Sequence, residues 1–283
     1  MSIWYKAILP IADELGYPAT IKSMLSNQDD LRLPEVARTT AFSMVPDWHS
    51  WADIGGVLGT GAEAGQIWEH LTQLSTKQQF EKWKLDITDI EGLCASKSPL
   101  DQHSTLDDFA EARASHLINP LTLPQLRACL DHDQVKITRP TNNADYLLQY
   151  SWDGRIFLAN DGGSHHFAAA RYIASKLNTP VSLEARLYRY CMNPVTVRQL
   201  CDSYEIFALP SDLVLGGHFC IALRRMGAEY YFTPLPNQYR DFHAVFLPKN
   251  KVRSMRVANV LRQSGVTDLG QHLTLLAQGA KNE

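Results

Sequence analysis

The chain has 283 residues, 45% of them hydrophobic, and a formal net charge of −3 from 27 Lys and Arg against 30 Asp and Glu. That is a globular composition, long enough for one large domain or two smaller ones. The mild acidic balance excludes a globally basic binder of nucleic acid or anionic membranes and leaves only local patches, such as residues 249 to 262 (KNKVRSMRVANVLR).

Five cysteines without a C-x-x-C pair argue against a disulfide framework or a cysteine zinc site and fit a reducing compartment. The opening stretch MSIWYKAILPIADELG breaks its apolar run with Lys6, Pro10, Asp13 and Glu14, unlike an export leader. No run reaches the length of a membrane span, so no membrane partner and a cytoplasmic location are expected.

In chain order, DWHSW (residues 47 to 51) is an aromatic cluster that lines a pocket or caps a core. GGVLGTGAEAG (55 to 65) has the glycines of a phosphate loop but not the Gly-Lys-Ser/Thr that must follow, and reads as a flexible turn. IWEHLTQLSTKQQFEKWKL (67 to 85) carries Ile67, Leu71, Leu74, Phe80 and Trp83 at mostly helical spacing and predicts a helix. A polar stretch from about 95 to 110 marks a domain boundary or long surface connection.

LPQLRACL (123 to 130) predicts a short helix with Pro124 in its first turn, and QVKITRP (134 to 140) predicts a strand. Asp153-Gly154 between two apolar runs predicts a hairpin with strands at about 145 to 150 and 155 to 159. A helix is expected from 164 to 177, with Phe167, Ala170, Ile173, Ala174 and Leu177 on its buried face, and then a strand within 178 to 190. YEIFALP, HFCIALRRM, AEYYFTPLP and FHAVFLP read as further strands, followed by a helix from about 252 to 263. The expected architecture is α+β in three successive regions: a mainly helical 1–110, a central 111–200, and a β-rich 201–283 ending in a helix.

The hairpin runs directly into NDGGSHHFAAARYIA (160 to 174). Gly162 and Gly163 open the approach to a helix start whose unpaired N–H groups and dipole attract anions, and Ser164, His165 and His166 stand beside it as donors. Plainer readings stay open: Asp161 or Ser164 as a simple N-cap, the glycines as a tight turn, and His166 as a core histidine.

The succession strand, turn, strand and Gly162-Gly163-Ser164-His165-His166-Phe167-Ala168-Ala169 resembles the ParB/sulfiredoxin superfamily. Sulfiredoxins carry Gly-Gly-Cys-His-Arg-Tyr-Ala-Ala at this junction. The likeness covers about residues 118 to 200, with Arg139 in the place of a phosphate-meeting basic residue. It implies a ParB/sulfiredoxin-like mixed sheet and a nucleoside triphosphate, ATP or CTP, cradled by Arg139, Gly162, Gly163, Ser164, His165 and His166. Ser164 replaces the reactive cysteine, which argues against sulfinic acid reductase chemistry.

Three classes of function follow. In the first, the triphosphate is hydrolysed or its phosphoryl group transferred, with Ser164, His165 and Asp161 as the catalytic group and Mg2+ held by Asp161 and Glu184. In the second, the chain is a non-catalytic interaction or effector protein from a mobile element that binds another protein. In the third, a DNA-binding or nuclease protein uses Arg224, Arg225, Arg253, Arg256 and Arg262 on phosphates. His218 and His243, with His165 or His166, offer a metal site, although structural roles for these histidines are favoured.

Overall fold

The computed structural model describes residues 19–26, 30–139 and 144–279. The opening stretch read above, and Pro140, lie outside them. Two compact units interleave along the chain. One takes Val36–Pro46 and Thr76–Cys191, and the other takes the described residues up to Glu35, Asp47–Ser75 and Met192 onward. Three successive regions therefore give way to two interleaved ones, because the chain enters each unit more than once.

The strands in chain order are β1 (Leu58–Gly59), β2 (Ser75–Asp86), β3 (Ile90–Leu93), β4 (Tyr146–Tyr150) and β5 (Ile156–Ala159). There follow β6 (Ser182–Met192), β7 (Tyr204–Pro210), β8 (Tyr231–Pro234), β9 (Phe242–Pro248) and β10 (Thr267–Asp268). The fold is α+β, with one mixed sheet and one antiparallel sheet.

The mixed sheet has the order β2-β6-β4-β5-β3. The expected hairpin is present: β4 and β5 pair antiparallel with Leu147 opposite Leu158, and Gly154 turns between them at φ 83°. β3 lies parallel to β5, and β6 parallel to β4. The helix Ser164–Lys176 buries Phe167, Ala168, Ala169, Ala170, Ile173 and Ala174, and helices Leu106–Arg113 and Leu123–Leu130 pack against it. Its row of alanines, with no branched side chains, suits close packing, and the core it joins includes Leu147, Leu158 and Leu187.

The antiparallel sheet has the order β1-β8-β9-β7-β10. Here the glycine-rich loop has a packing explanation, since a Cβ at Gly59 or Gly61 would collide with Tyr231. Trp48 and Trp51 are core residues, in edge-on contact at 5.3 Å between ring centroids.

Three expected elements are different. The helix read across 67 to 85 spans Ala64–Thr72, and from Ser75 the chain becomes β2. Pairing with β6 overrides helical propensity there, and Phe80 and Trp83 reach the core from a largely exposed strand. QVKITRP forms no strand over its described residues. Its Lys136 N–H bonds the Asp145 carboxylate at 3.2 Å, and Arg139 N–H bonds the Lys136 carbonyl at 3.0 Å, so these backbone groups are satisfied without a ladder. HFCIALRRM is mostly helix, His218–Arg225, entered from Gly217 at φ 81°, and its buried residues Phe219, Cys220, Ala222 and Leu223 lie at helical spacing.

All five cysteines are free. Among the described residues no helix is long and apolar enough to cross a membrane.

Candidate functional site

Because β3 and β5 are parallel neighbours, the loops that follow them leave the sheet at the same end, where open α/β sheets commonly hold ligands. After β3 the chain runs Cys94-Ala95-Ser96-Lys97-Ser98, and after β5 it runs Asn160-Asp161-Gly162-Gly163. Asn160 ties the two loops together. Its side-chain carbonyl accepts the Ala95 N–H at 3.2 Å, and its amide donates to the carbonyls of Ala95 and Gly162, both at 2.9 Å.

Gly162 and Gly163 both have positive φ, 110° and 68°. At Gly163 a Cβ would lie 2.5 Å from the Gln134 carbonyl oxygen, so only glycine fits. Gly163 is itself the N-cap of Ser164–Lys176 and offers no side-chain cap. The first intrahelical bond is Phe167 N–H to the Gly163 carbonyl at 2.9 Å, which leaves the N–H groups of Ser164, His165 and His166 without helical partners. Neither Asp161 nor Ser164 is the cap.

A cavity of about 510 Å³ opens over this first turn. Ser96, Lys97, Arg113, His116 and Gln134 join the turn in its wall, and among the described residues that line it none is an acid. Arg113 donates to the neutral Gln102 amide at 3.3 Å rather than to a carboxylate. Its volume lies in the range of small-molecule sites.

The two histidines differ in setting. His165 Nε2 lies 2.9 Å from Ser98 Oγ and its Nδ1 lies 3.4 Å from Ser164 Oγ, which in turn donates to Ser96 Oγ at 3.0 Å. His166 stacks on His132 with 3.5 Å between ring centroids and 12° between planes. Burial holds both imidazoles below the usual histidine range. Coulombic repulsion adds to this, from His116, Lys97 and Arg113 at His165 and from the neighbouring imidazoles of His132, His165 and His116 at His166. Both effects favour the neutral form of each ring.

Gly162, Gly163, Ser164, His165 and His166 thus meet in one cavity, and three expected residues do not join them. Arg139 forms an ion pair with Asp133 at 3.2 Å and, with Glu184, lines a different cavity of about 690 Å³ in the same unit. Its strand never forms, so nothing carries it to the helix start. Glu184 lies on β6 and pairs with Lys84 at 3.6 Å. Asp161 adjoins the turn, but its side chain is 76% exposed and meets Lys136 Nζ at 2.6 Å, which holds its carboxyl below the usual carboxylate range. Asp161 and Glu184 thus form no joint metal site, and among the described residues no group of three His, Cys, Asp or Glu is placed to hold a metal ion. His218 starts a helix and His243 lies in β9, where Ser211 Oγ is 2.8 Å from its Nδ1.

The larger cavity has mixed charge, with Glu81, Asp131 and Glu184 beside Lys82, Arg139 and Arg186, and several of these are already ion-paired. The smaller one has cations without acids, which makes it the better candidate for an external anion.

Fold and site together define a two-unit α+β protein with a cation-walled cavity at a helix mouth. The chain belongs to the family of unknown function DUF6685, whose model matches residues 80–283, a span that includes the whole wall of this cavity. No curated protein and no solved structure matches the chain.

Proposed function

We propose that this cavity binds the phosphates of a nucleoside triphosphate, ATP or CTP, in the manner implied by the likeness to the ParB/sulfiredoxin superfamily. One observation carries the reading: three first-turn N–H groups without helical partners face a wall that supplies Lys97, Arg113 and His116 and no acid. Such a wall favours a ligand with several negative charges, and oriented N–H groups supply the geometry that phosphate oxygens require. Lys97 and Arg113 take the part first expected of Arg139. Mg2+ enters bound to the nucleotide, because Asp161 and Glu184 are engaged with Lys136 and Lys84.

The alternative of a DNA partner draws on Arg224, Arg225, Arg253, Arg256 and Arg262. In residues 249 to 262, Arg262 and Lys249 both meet Glu205, at 2.7 and 3.6 Å, and Lys251 meets Glu229 at 3.1 Å, so at least three of the five cations there are already ion-paired. That observation favours the nucleotide reading.

The test is calorimetric titration of ATP and of CTP, with and without Mg2+, into the wild type and His165→Ala, with circular dichroism to check folding. Saturable binding weakened by the substitution is the expected result. A folded wild type that binds neither nucleotide refutes the reading.

A further inference from the structure

The hydroxyls around His165 suit one of its two tautomers. When Ser164 Oγ donates to Ser96 Oγ it is left to accept from His165 Nδ1, which places the ring proton on Nδ1. Nε2 is then a bare lone pair, 2.9 Å from Ser98 Oγ, and the Ser98 hydroxyl donates to it. The chain runs Ser98 to His165 to Ser164 to Ser96, which is the order of nucleophile, base and orienting group in activated hydroxyl sites. Ser164 is 5% exposed and both its contacts are spent on this chain, so it suits the orienting role and not attack.

Ser98 is not itself in the cavity wall, but it follows the lining residues Ser96 and Lys97 in the chain and its hydroxyl meets the lining residue His165 at 2.9 Å. Resting on the nucleotide reading above, the geometry points to Ser98 as a nucleophile that accepts the terminal phosphoryl group of the bound triphosphate, with His165 as its general base. In that step a bond forms between Ser98 Oγ and the terminal phosphorus while the bond from that phosphorus to its bridging oxygen breaks, and the electron pair leaves with the nucleoside diphosphate. The Ser98 proton passes to His165 Nε2. The cations Lys97 and Arg113 make the imidazolium unfavourable, so it returns the proton to the departing diphosphate. The products are phosphoserine at position 98 and the diphosphate. First-turn N–H groups and Arg113 offset the charge that develops on the transferred group.

The role is testable with a fluorophosphonate, a phosphoryl electrophile from which Ser98 Oγ would displace fluoride to leave a stable adduct. Peptide mass spectrometry should find one adduct, at Ser98. It should vanish in Ser98→Ala and form about a hundredfold more slowly in His165→Gln, the scale of a lost general base. The wild-type rate should rise with pH through a midpoint below the ordinary histidine value, and ATP should slow it. No adduct on folded protein, an adduct at another residue, or an unchanged rate in His165→Gln would overturn the assignment. Calorimetry on the same sample separates the two readings. Nucleotide binding without labelling removes Ser98 alone, whereas binding of neither nucleotide removes the donor and both readings with it.

Discussion

At Gly163 the chain adopts φ 68° with the Gln134 carbonyl against its missing side chain. Gly163→Ala therefore meets both left-handed strain and a backbone collision. We expect it to cost about 2 kcal/mol or more in urea denaturation and to abolish nucleotide binding, by closing the approach to the first turn. His166 gives a second prediction. Its protonation is suppressed in the free protein, and a bound polyanion favours the protonated form, so binding takes up a proton there. Affinity for ATP should rise as pH falls from 7.5 toward 6, with proton uptake visible as a buffer-dependent heat in calorimetry. Gly162 through His166 could be read from the sequence because they are contiguous and their glycines, hydroxyl and imidazoles state their own chemistry. Lys97, Ser98, Arg113 and His116 could not, because they lie far from the turn in sequence and reach it only through tertiary folding. Ser98 carried one faint signal, a small hydroxyl run in Ser96-Lys97-Ser98 just after an apolar strand.

Among elements, those with strong local determinants were legible: the hairpin at Asp153-Gly154, the alanine-rich helix, and β7 and β9. Where local preference and tertiary pairing conflict, the reading failed. β2 has a helix-like composition but lies beside β6, and residues 134 to 139 alternate like a strand but direct backbone N–H groups to Asp145. His218–Arg225 has the apolar density of a strand, and only Gly217 hinted at a helix start. The loop after β3 depends on an element-level link of the same kind, the Asn160 side chain. Asn160→Ala removes three hydrogen bonds at a largely buried position and should cost about 2 kcal/mol. It should also weaken ATP binding without touching the ligand, because Ala95 to Lys97 lose their tie to the turn. A variant with unchanged thermal stability and affinity would show that the two loops hold their places independently.

For the whole molecule, burial lowers the pKa of His165, His166, His243 and His272. In the unfolded chain these groups protonate near the ordinary value of about 6.5, so as pH falls through that range the unfolded state binds more protons than the folded one and stability drops. The thermal midpoint should therefore fall between pH 7.5 and 5.5. Saturating nucleotide should offset the part due to His166, because it binds the folded state and favours that ring's charge. An unchanged midpoint would mean that these rings titrate normally. Where the anion sits is measured most directly by ATP titration into Lys97→Ala, Arg113→Ala and Arg139→Ala beside the wild type. The first two should each weaken binding about tenfold, near 1.4 kcal/mol, and Arg139→Ala should leave it unchanged. Loss of binding in Arg139→Ala with no effect of the other two would place the ligand in the other cavity and contradict the site described at the mouth of Ser164–Lys176.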